Sequence, residues 1–315
     1  MPLSRLDLSS FAPILLGFVV AGCTSAQPAN DKQTEHSSTN PIYRNLEGAD
    51  LYANIPSDLI TIKDEDVDFN ERSGDAELVA RWATERRKVI GWCLKEKITE
   101  LNDYNSEQVV YKRVWPKPDM RPQTRIDQGI AIASKVVENV PSDSWERFRL
   151  GESLFFKGSA MYWGIDACMN RIGVLRGEMS LPLTGPESEE KNPKFPNQSH
   201  EIETLRQTAR GLYDDMRVYH TTAYKHFSTF AKDRPMDKTG LDFMWKIQYQ
   251  LGNFREAVRL MNELLDTDLI TEDNVKRYQD IRKAINDYLV EREINSAAPK
   301  PDERIKFKVE GEIPK

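Results

Sequence analysis

The chain has 315 residues, a formal net charge of −6 and 30% charged residues. A chain with this acidic balance has no net electrostatic attraction for nucleic acid or for an anionic lipid surface, so neither is predicted as a charge-driven partner. Hydrophobic residues make up 39% of the sequence, which is enough for a folded core, and the length suits one large domain or two small ones.

An apolar run over residues 11–20 leads into the motif Val20-Ala21-Gly22-Cys23. The run is shorter than the roughly 20 residues that a membrane-spanning helix needs, and it has the length of a signal-peptide core. The motif resembles the lipobox of bacterial lipoproteins. The resemblance implies that residues 1–22 are a lipoprotein signal peptide and that cleavage occurs before Cys23. An uncleaved signal anchor and a secretory signal that is cut elsewhere are the alternative interpretations.

Cleavage at a lipobox leaves an N-terminal cysteine that carries a thioether-linked diacylglycerol, with palmitate as a typical acyl group. Two or more acyl chains hold a protein stably on a bilayer, so the resemblance implies membrane attachment through lipid at Cys23. The next residue is Thr24 rather than an aspartate. In bacterial lipoproteins an aspartate at this position favours retention in the inner membrane, so the resemblance implies attachment to the outer membrane of the bacterial cell envelope, with the folded part facing the periplasm.

The remaining chain divides by composition. Residues 24–41 are rich in Ser, Thr, Asn, Gln and Pro and nearly free of apolar residues, which is typical of disordered chains. We predict a tether over residues 23–50, a helical domain over residues 51–293 and a C-terminal tail over residues 294–315.

Apolar residues in the predicted domain recur three and four positions apart, the spacing that places them on one face of a helix. Asp143 and Glu146 form a pair typical of a helix start, and Gly158 is predicted to separate two helices. Strand signals are few, so the predicted class is all-α. The predicted helices cover about 75–102, 126–140, 143–179 in two pieces, 202–231, 239–250, 253–267 and 271–291.

The helix over 202–231 has an apolar seam that keeps a heptad-like spacing for four heptads, which is typical of a long bundle helix. His226 lies on this seam and is interpreted as a histidine at the edge of the core. The predicted seam residues are Ile202, Leu205, Ala209, Leu212, Met216, Tyr219, Ala223, His226 and Phe230.

The motif Leu251-Gly252-Asn253-Phe254-Arg255-Glu256-Ala257-Val258 resembles the turn between the two helices of a tetratricopeptide repeat (TPR). The resemblance implies that Gly252 ends one helix and that Phe254 and Ala257 pack the next helix against it. A weaker match begins at Arg147. TPR-like helix pairs are therefore predicted near residues 239–268 and 143–179, and the fold is either a TPR-like α-solenoid or an irregular helical bundle.

Residues with metal-binding or redox chemistry are few. Cys93 and Cys168 lack CxxC spacing, and two buried free thiols are favoured over a disulfide, although the sequence does not decide between them. No cofactor is predicted. Four oxygen-bearing residues have the spacing of calcium ligands in an EF-hand loop, but Glu71 stands where that loop needs glycine. This weak calcium candidate comprises Asp66, Asp68, Asn70 and Glu77.

These features predict a function in binding rather than catalysis. We find no catalytic motif, so an enzyme is not predicted. The favoured hypothesis is a lipid-anchored scaffold or adaptor that binds another envelope protein through a helical-repeat surface. The alternatives are a TPR lipoprotein that binds a small ligand for a transporter, and an enzyme acting on peptidoglycan with carboxylates from distant positions.

Overall fold

A computed structural model of the protein describes residues 51–52, 55–70, 74–104, 124–140, 143–182, 187–267 and 272–297. The chain divides into two compact units, Met1–Phe243 and Met244–Lys315. The described residues form helices and connecting turns without a β-strand, so the predicted all-α class is confirmed.

Except for 143–179, which was predicted as two helices and is one, the helix ends lie within six residues of the predicted spans. The first unit contains α1 to α4 and the first part of α5, and the second contains the rest of α5 with α6 and α7. Their bounds are Ala76–Tyr104 (α1), Thr124–Asn139 (α2), Ser144–Glu178 (α3), Pro196–Asp233 (α4), Thr239–Gln250 (α5), Phe254–Leu265 (α6) and Glu272–Ala297 (α7). Short 3-10 helices lie at Ser57–Leu59, Asp64–Asp66 and Glu187–Glu190.

In the first unit, successive helices pack against one another: α1 on α2, α2 on α3, and α3 on α4. The most extensive contact is between α3 and α4. These two helices run antiparallel, because Gly151 of α3 faces Phe227 of α4 while Gly158, further along α3, faces His220 of α4. This pair carries the core of the unit.

Gly158 does not form a turn, and the helix pair predicted near 143–179 is not formed. A single helix, α3, continues through this position to Glu178. A Cβ atom added at Gly158 would lie 2.4 Å from Nδ1 of His220, so only glycine lets the imidazole ring pack directly on the backbone of α3. Glycine in a helix costs about 1 kcal/mol relative to alanine, and close packing of two long helices offsets that cost.

The predicted seam of α4 is correct from Ile202 to Met216. In its second half Ala223 and Phe230 are buried as predicted, while the two other positions shift by one residue. His220 and Phe227 are fully buried in place of Tyr219 and His226, which are half-buried. A strict heptad assumes 3.5 residues per turn, whereas a straight helix has 3.6, so the buried face drifts by about 20° per heptad. The shift is the consequence of that drift over a long, straight helix.

An aromatic cluster fills the space between α3, α4 and the start of α5. The rings of Phe227 and Phe243 stack with centroids 4.8 Å apart, and Phe148 contacts both of them edge-on. Phe155 adds a second edge contact to Phe243. Offset and edge-to-face pairs of this kind add stability beyond the burial of apolar area, so the cluster holds these three elements together.

The helix start predicted at Asp143 is confirmed, since its carboxylate accepts a hydrogen bond from the backbone N–H of Trp145 (2.8 Å). Glu146 does not complete the predicted capping pair. Its side chain is fully buried and accepts two hydrogen bonds from Arg87 of α1 instead. The nearby cation outcompetes the backbone amide for this carboxylate.

The second unit contains the helix–turn–helix predicted around Gly252. This glycine has a φ of +78°, and the N–H of Asn253 donates to the carbonyl of Gln248 (2.8 Å), which closes the end of α5 in a Schellman motif. Ala257 of α6 is fully buried, and α6 packs against α7. The predicted turn is therefore confirmed, while its assignment to the TPR family stays a prediction.

The contact between Gly158 and His220 predicts the effect of adding one methyl group. Gly158→Ala should lower the free energy of unfolding by about 2–3 kcal/mol, because the new Cβ overlaps a fully buried ring. Gly211→Ala in α4 is the matched control, since its Cβ would meet no atom within 4 Å. The control should gain about 0.5–1 kcal/mol from helix propensity. Urea denaturation followed by circular dichroism measures both; equal effects would contradict the packing role.

Candidate functional site

The predicted lipidation site, Cys23, lies outside the described residues. None of the described helices is long and apolar enough to cross a membrane.

The four calcium candidates do not form a cluster of ligands. Asp66 ends a 3-10 helix and Glu77 lies in the first turn of α1, and both side chains are exposed. Asp68 accepts a hydrogen bond from the backbone N–H of Asn70, a local contact within the loop. Across the described part of the chain, no group of three or more His, Cys, Asp or Glu side chains is arranged to hold a metal ion.

Cys93 and Cys168 are both buried free thiols, as the favoured interpretation expected. Burial raises the pKa of each thiol to about 11, because the thiolate loses its hydration in an apolar environment. Both side chains therefore remain protonated at neutral pH and serve packing. On α2, a Cβ at Gly129 would lie 3.5 Å from Cβ of Cys93, an ordinary van der Waals distance.

The most informative polar feature of the first unit is a set of charged side chains in its interior. Each has an oppositely charged partner on another element or one turn away on its own helix. Burying a charge is costly unless it is paired and hydrogen-bonded, so these residues determine which elements pack together. The buried charged residues are Arg86, Glu146, Glu152, Lys157, Arg176 and Glu190.

The largest of these networks centres on the carboxylate of Asp64. Oδ1 accepts from Nη2 of Arg86 (2.6 Å) and Nε1 of Trp82 (2.8 Å), both on α1. Oδ2 accepts from Nζ of Lys135 on α2 (2.5 Å) and from the hydroxyl of Tyr52 (2.7 Å). Burial acts to raise the pKa of Asp64, but these donors outweigh it and hold the pKa well below the usual range. Asp64 therefore stays charged in the folded protein.

A second carboxylate, Glu85 of α1, binds the backbone of the same N-terminal segment. Its Oε2 accepts from the backbone N–H groups of Thr61 (2.9 Å) and Ile62 (3.0 Å), and Oε1 accepts from the hydroxyl of Thr61. Arg86 donates from Nη2 to the carbonyl of Ile62 (2.8 Å). The segment is thus held by its backbone as well as by Asp64.

Apolar side chains of the segment complete the contact. Ile62 and Val67 are buried in one cluster with Trp82 of α1 and Val136 of α2. Phe69 meets Trp82 edge-on with ring centroids 4.7 Å apart. We call the described residues between 51 and 70 the N-terminal clasp, and the surface of α1 and α2 beneath it the clasp groove.

Two further ion pairs join α3 to its neighbours. Lys157 of α3 is 2% exposed at its side chain and donates to Asp127 of α2 (2.6 Å), with the ring of Tyr219 5.5 Å away. Arg87 of α1 binds Glu146 through Nε (2.8 Å) and Nη2 (2.5 Å). These pairs join α2 and α1 to the α3–α4 core.

At the other end of α3, Arg176 and Glu190 form a buried pair across the connection to α4. Arg206 of α4 binds both oxygens of Glu190, each at 2.6 Å, and Arg176 also donates from Nε to the carbonyl of Pro182 (2.7 Å). The two guanidinium groups lower the pKa of Glu190 despite its burial. This network holds the connection against both helices.

Two titratable side chains on α3 and α4 have strongly shifted pKa values. Burial raises the pKa of Asp166 from 3.8 to about 6, and its one described hydrogen bond comes from Asn170 at 3.5 Å. Burial and the neighbouring charge of Arg147 lower the pKa of His226 to about 4, so its imidazole is neutral at physiological pH. The expected position of His226 at the core edge is confirmed, since it is half-buried.

The residues of the Asp64 network were missed by sequence reasoning. The calcium candidate uses acidic residues that follow Asp64 and leaves Asp64 itself out, and Arg86 and Lys135 lie at positions that helical periodicity leaves polar. One signal was available: Arg86 follows Trp82 by four residues and so shares its buried face of α1. A buried arginine needs an anionic partner, which points to a carboxylate elsewhere in the chain.

Comparisons with protein-family models, with curated proteins and with solved structures found no match for this chain.

The shifted pKa of Asp166 predicts a pH-dependent cost to the fold. Between pH 3.8 and about 6 the folded state keeps the proton that the unfolded state releases, so stability falls as pH rises through this window and then stays low. Asp166→Asn should therefore be more stable than wild type by about 1–2 kcal/mol at pH 7.5, a figure reduced from the full shift for partial exposure. At pH 3 the two proteins should be equally stable.

Urea titrations at both pH values measure this difference. The matched control is Asp214→Asn, an exposed carboxylate on α4, which should change stability by no more than about 0.5 kcal/mol at either pH. A gain from Asp166→Asn that is the same at both pH values would contradict the electrostatic explanation.

Proposed function

We propose that this protein is a lipid-anchored scaffold or adaptor of the bacterial cell envelope that binds another envelope protein through its helical surface. Acylation of Cys23 would attach the protein to the membrane, and the proposed position is the outer membrane, facing the periplasm. The lipobox-like motif and the polar residues that follow it support this anchor.

The proposal of a binding role depends on one observation, which is how the buried charged side chains are paired. Lys157 pairs with Asp127, Arg86 with Asp64, and the other buried charged residues with partners of their own. Apart from Glu152, whose partner Arg149 lies on the same helix, each of these pairs joins two structural elements of the first unit. The interior chemistry of the described residues is thus engaged in holding long helices in place, which leaves the outer helix faces to act on other molecules.

The second unit supports a helical-repeat type of surface. Its helix–turn–helix around Gly252 follows the TPR-like motif in sequence and closes with the expected glycine geometry. Proteins of the TPR class bind peptides or partner proteins on their helical surfaces, and the proposed partner follows from that resemblance.

Lipid attachment is tested at the cysteine itself. Cys23→Ser should move the protein from the detergent phase to the aqueous phase in a detergent partition of whole cells, because the acyl chains supply the membrane affinity. Mass spectrometry of the wild-type N-terminal peptide should find acylated Cys23. Cys93→Ala, which removes a buried thiol of α1, should leave the partition unchanged. An unmodified wild-type thiol at position 23, or an intact leader, would overturn the proposed anchor.

Partner binding is tested with photo-crosslinking residues at exposed positions on the two units. Gln207 on α4 and Lys283 on α7 are suitable positions. We expect a discrete adduct with one envelope protein from at least one position in the wild-type background, and its loss in Cys23→Ser. A covalent adduct with a small molecule, or no discrete adduct at either position, would contradict the scaffold.

A further inference from the structure

We propose that the N-terminal clasp is an intramolecular ligand of the clasp groove. The groove is then a peptide-binding site in which a segment of a partner protein, with one acidic residue between apolar residues, can replace the clasp. This inference rests on the proposed function, in that it names the class of partner segment and the surface that binds it.

The clasp is bound in the way that extended peptides are bound. Its described residues form two short 3-10 helices, Ser57–Leu59 and Asp64–Asp66, and otherwise lie in extended or irregular backbone. The clasp is therefore held in place by contacts with α1 and α2 rather than by a regular ladder of backbone hydrogen bonds of its own. Glu85 captures two successive amide groups of the clasp, a contact that any peptide backbone can make in place of Thr61 and Ile62.

Side-chain specificity comes from one charged site between apolar sites. Arg86, 0% exposed at its side chain, and Lys135 supply two cations that meet in the carboxylate of Asp64. Trp82 donates its indole N–H to the same carboxylate, and its ring forms a T-shaped pair with the ring of Phe69. The groove therefore selects a carboxylate with an aromatic residue a few positions later.

The apolar sites give the register. Ile62 lies two residues before Asp64, while Val67 and Phe69 lie three and five residues after it. Ile62 and Val67 bury their side chains between α1 and α2, next to Ala83 and Val136. A partner segment with apolar residues at these offsets from an Asp would reproduce the contacts of the clasp.

The groove without its clasp would be an unfavourable surface. The guanidinium of Arg86 would lose the carboxylate of Asp64 and keep only Glu85 of its own helix, with 3.7 Å between Nη1 and Oε2. It would remain against the ring of Trp82, 5.2 Å from its centroid. The loss of Asp64 would favour the binding of a replacement anion beside Arg86, because breaking a buried ion pair costs far more free energy than exchanging one carboxylate for another. The ion pairs that hold the clasp in place would therefore also favour a partner segment that carries an acidic residue.

The experiment uses full-length protein purified in detergent and a fluorescently labelled synthetic peptide of residues 52–70. Asp64→Asn should weaken the clasp, so hydrogen exchange over residues 57–70 should become at least tenfold faster while α3 and α4 keep wild-type protection. The labelled peptide should bind Asp64→Asn at least tenfold more tightly than it binds wild type, because its own Asp64 restores the lost carboxylate. The peptide with the same Asp64→Asn change should not bind.

Asp66→Asn is the matched control: it changes an exposed neighbour on the same 3-10 helix and should match wild type in both measurements. If Asp64→Asn does not fold, Phe69→Ala replaces it, since this change weakens the clasp and leaves every residue of the groove in place. A clasp that opens without peptide binding, or one that stays protected in the variant, overturns the proposal. Neither measurement depends on acylation or on crosslinked adducts, so a failure here leaves the scaffold proposal standing and can be told apart from a failure of that proposal.

Discussion

The close contact of α3 and α4 is the constraint on which the first unit depends. At Gly158 the imidazole of His220 occupies the space that any other residue would fill with its own Cβ atom. The ring also lies over Phe155, one turn before Gly158, with centroids 5.7 Å apart. Because both helices pass this point without a break, each can continue for more than 30 residues and present two long faces to the remaining elements.

Buried charges then determine where those elements lie. A hydrophobic face tolerates sliding and rotation, whereas Lys157 can meet Asp127 in only one register of α2 on α3. The pair of Arg87 with Glu146 does the same for α1 on α3. Replacing such pairs by apolar residues is often neutral for stability, so their effect here is best understood as specificity of arrangement rather than as added stability.

Helix positions and the core of each helix could be predicted from sequence because both follow from local periodicity. The first half of the α4 seam, from Ile202 to Met216, is confirmed residue by residue. In the second half, Ala223 and Phe230 are buried as predicted, and the two other positions shift by one residue because a heptad pattern and a straight helix drift apart over that length. Gly252 could be recognised because its positive φ is a local requirement, whereas Gly158 is dictated by a residue 62 positions away in sequence.

The polar networks could not be predicted for the same reason. Asp64, Arg86 and Lys135 are separated by 22 and 49 residues, and each looks like an ordinary surface charge in its own stretch of chain. Glu146 shows the problem most clearly: its spacing from Asp143 fits a helix cap, yet Arg87 from another helix takes its carboxylate. Local rules describe which contacts a side chain can make, and the fold decides which contact it makes.

The clasp connects the physical argument to the proposed role of the protein. In chain order it stands between the predicted membrane tether and α1, so any tension on the tether would reach the helices through the contacts of Asp64 and Glu85. Those contacts are polar and converge on two carboxylates, and the apolar contacts of Ile62, Val67 and Phe69 lie beside them. Polar contacts are short-ranged and are lost within a small displacement, whereas an apolar interface can slide and still remain buried. The polar contacts therefore decide when the clasp can leave, and exchange with a partner segment requires that they re-form with a carboxylate of the partner.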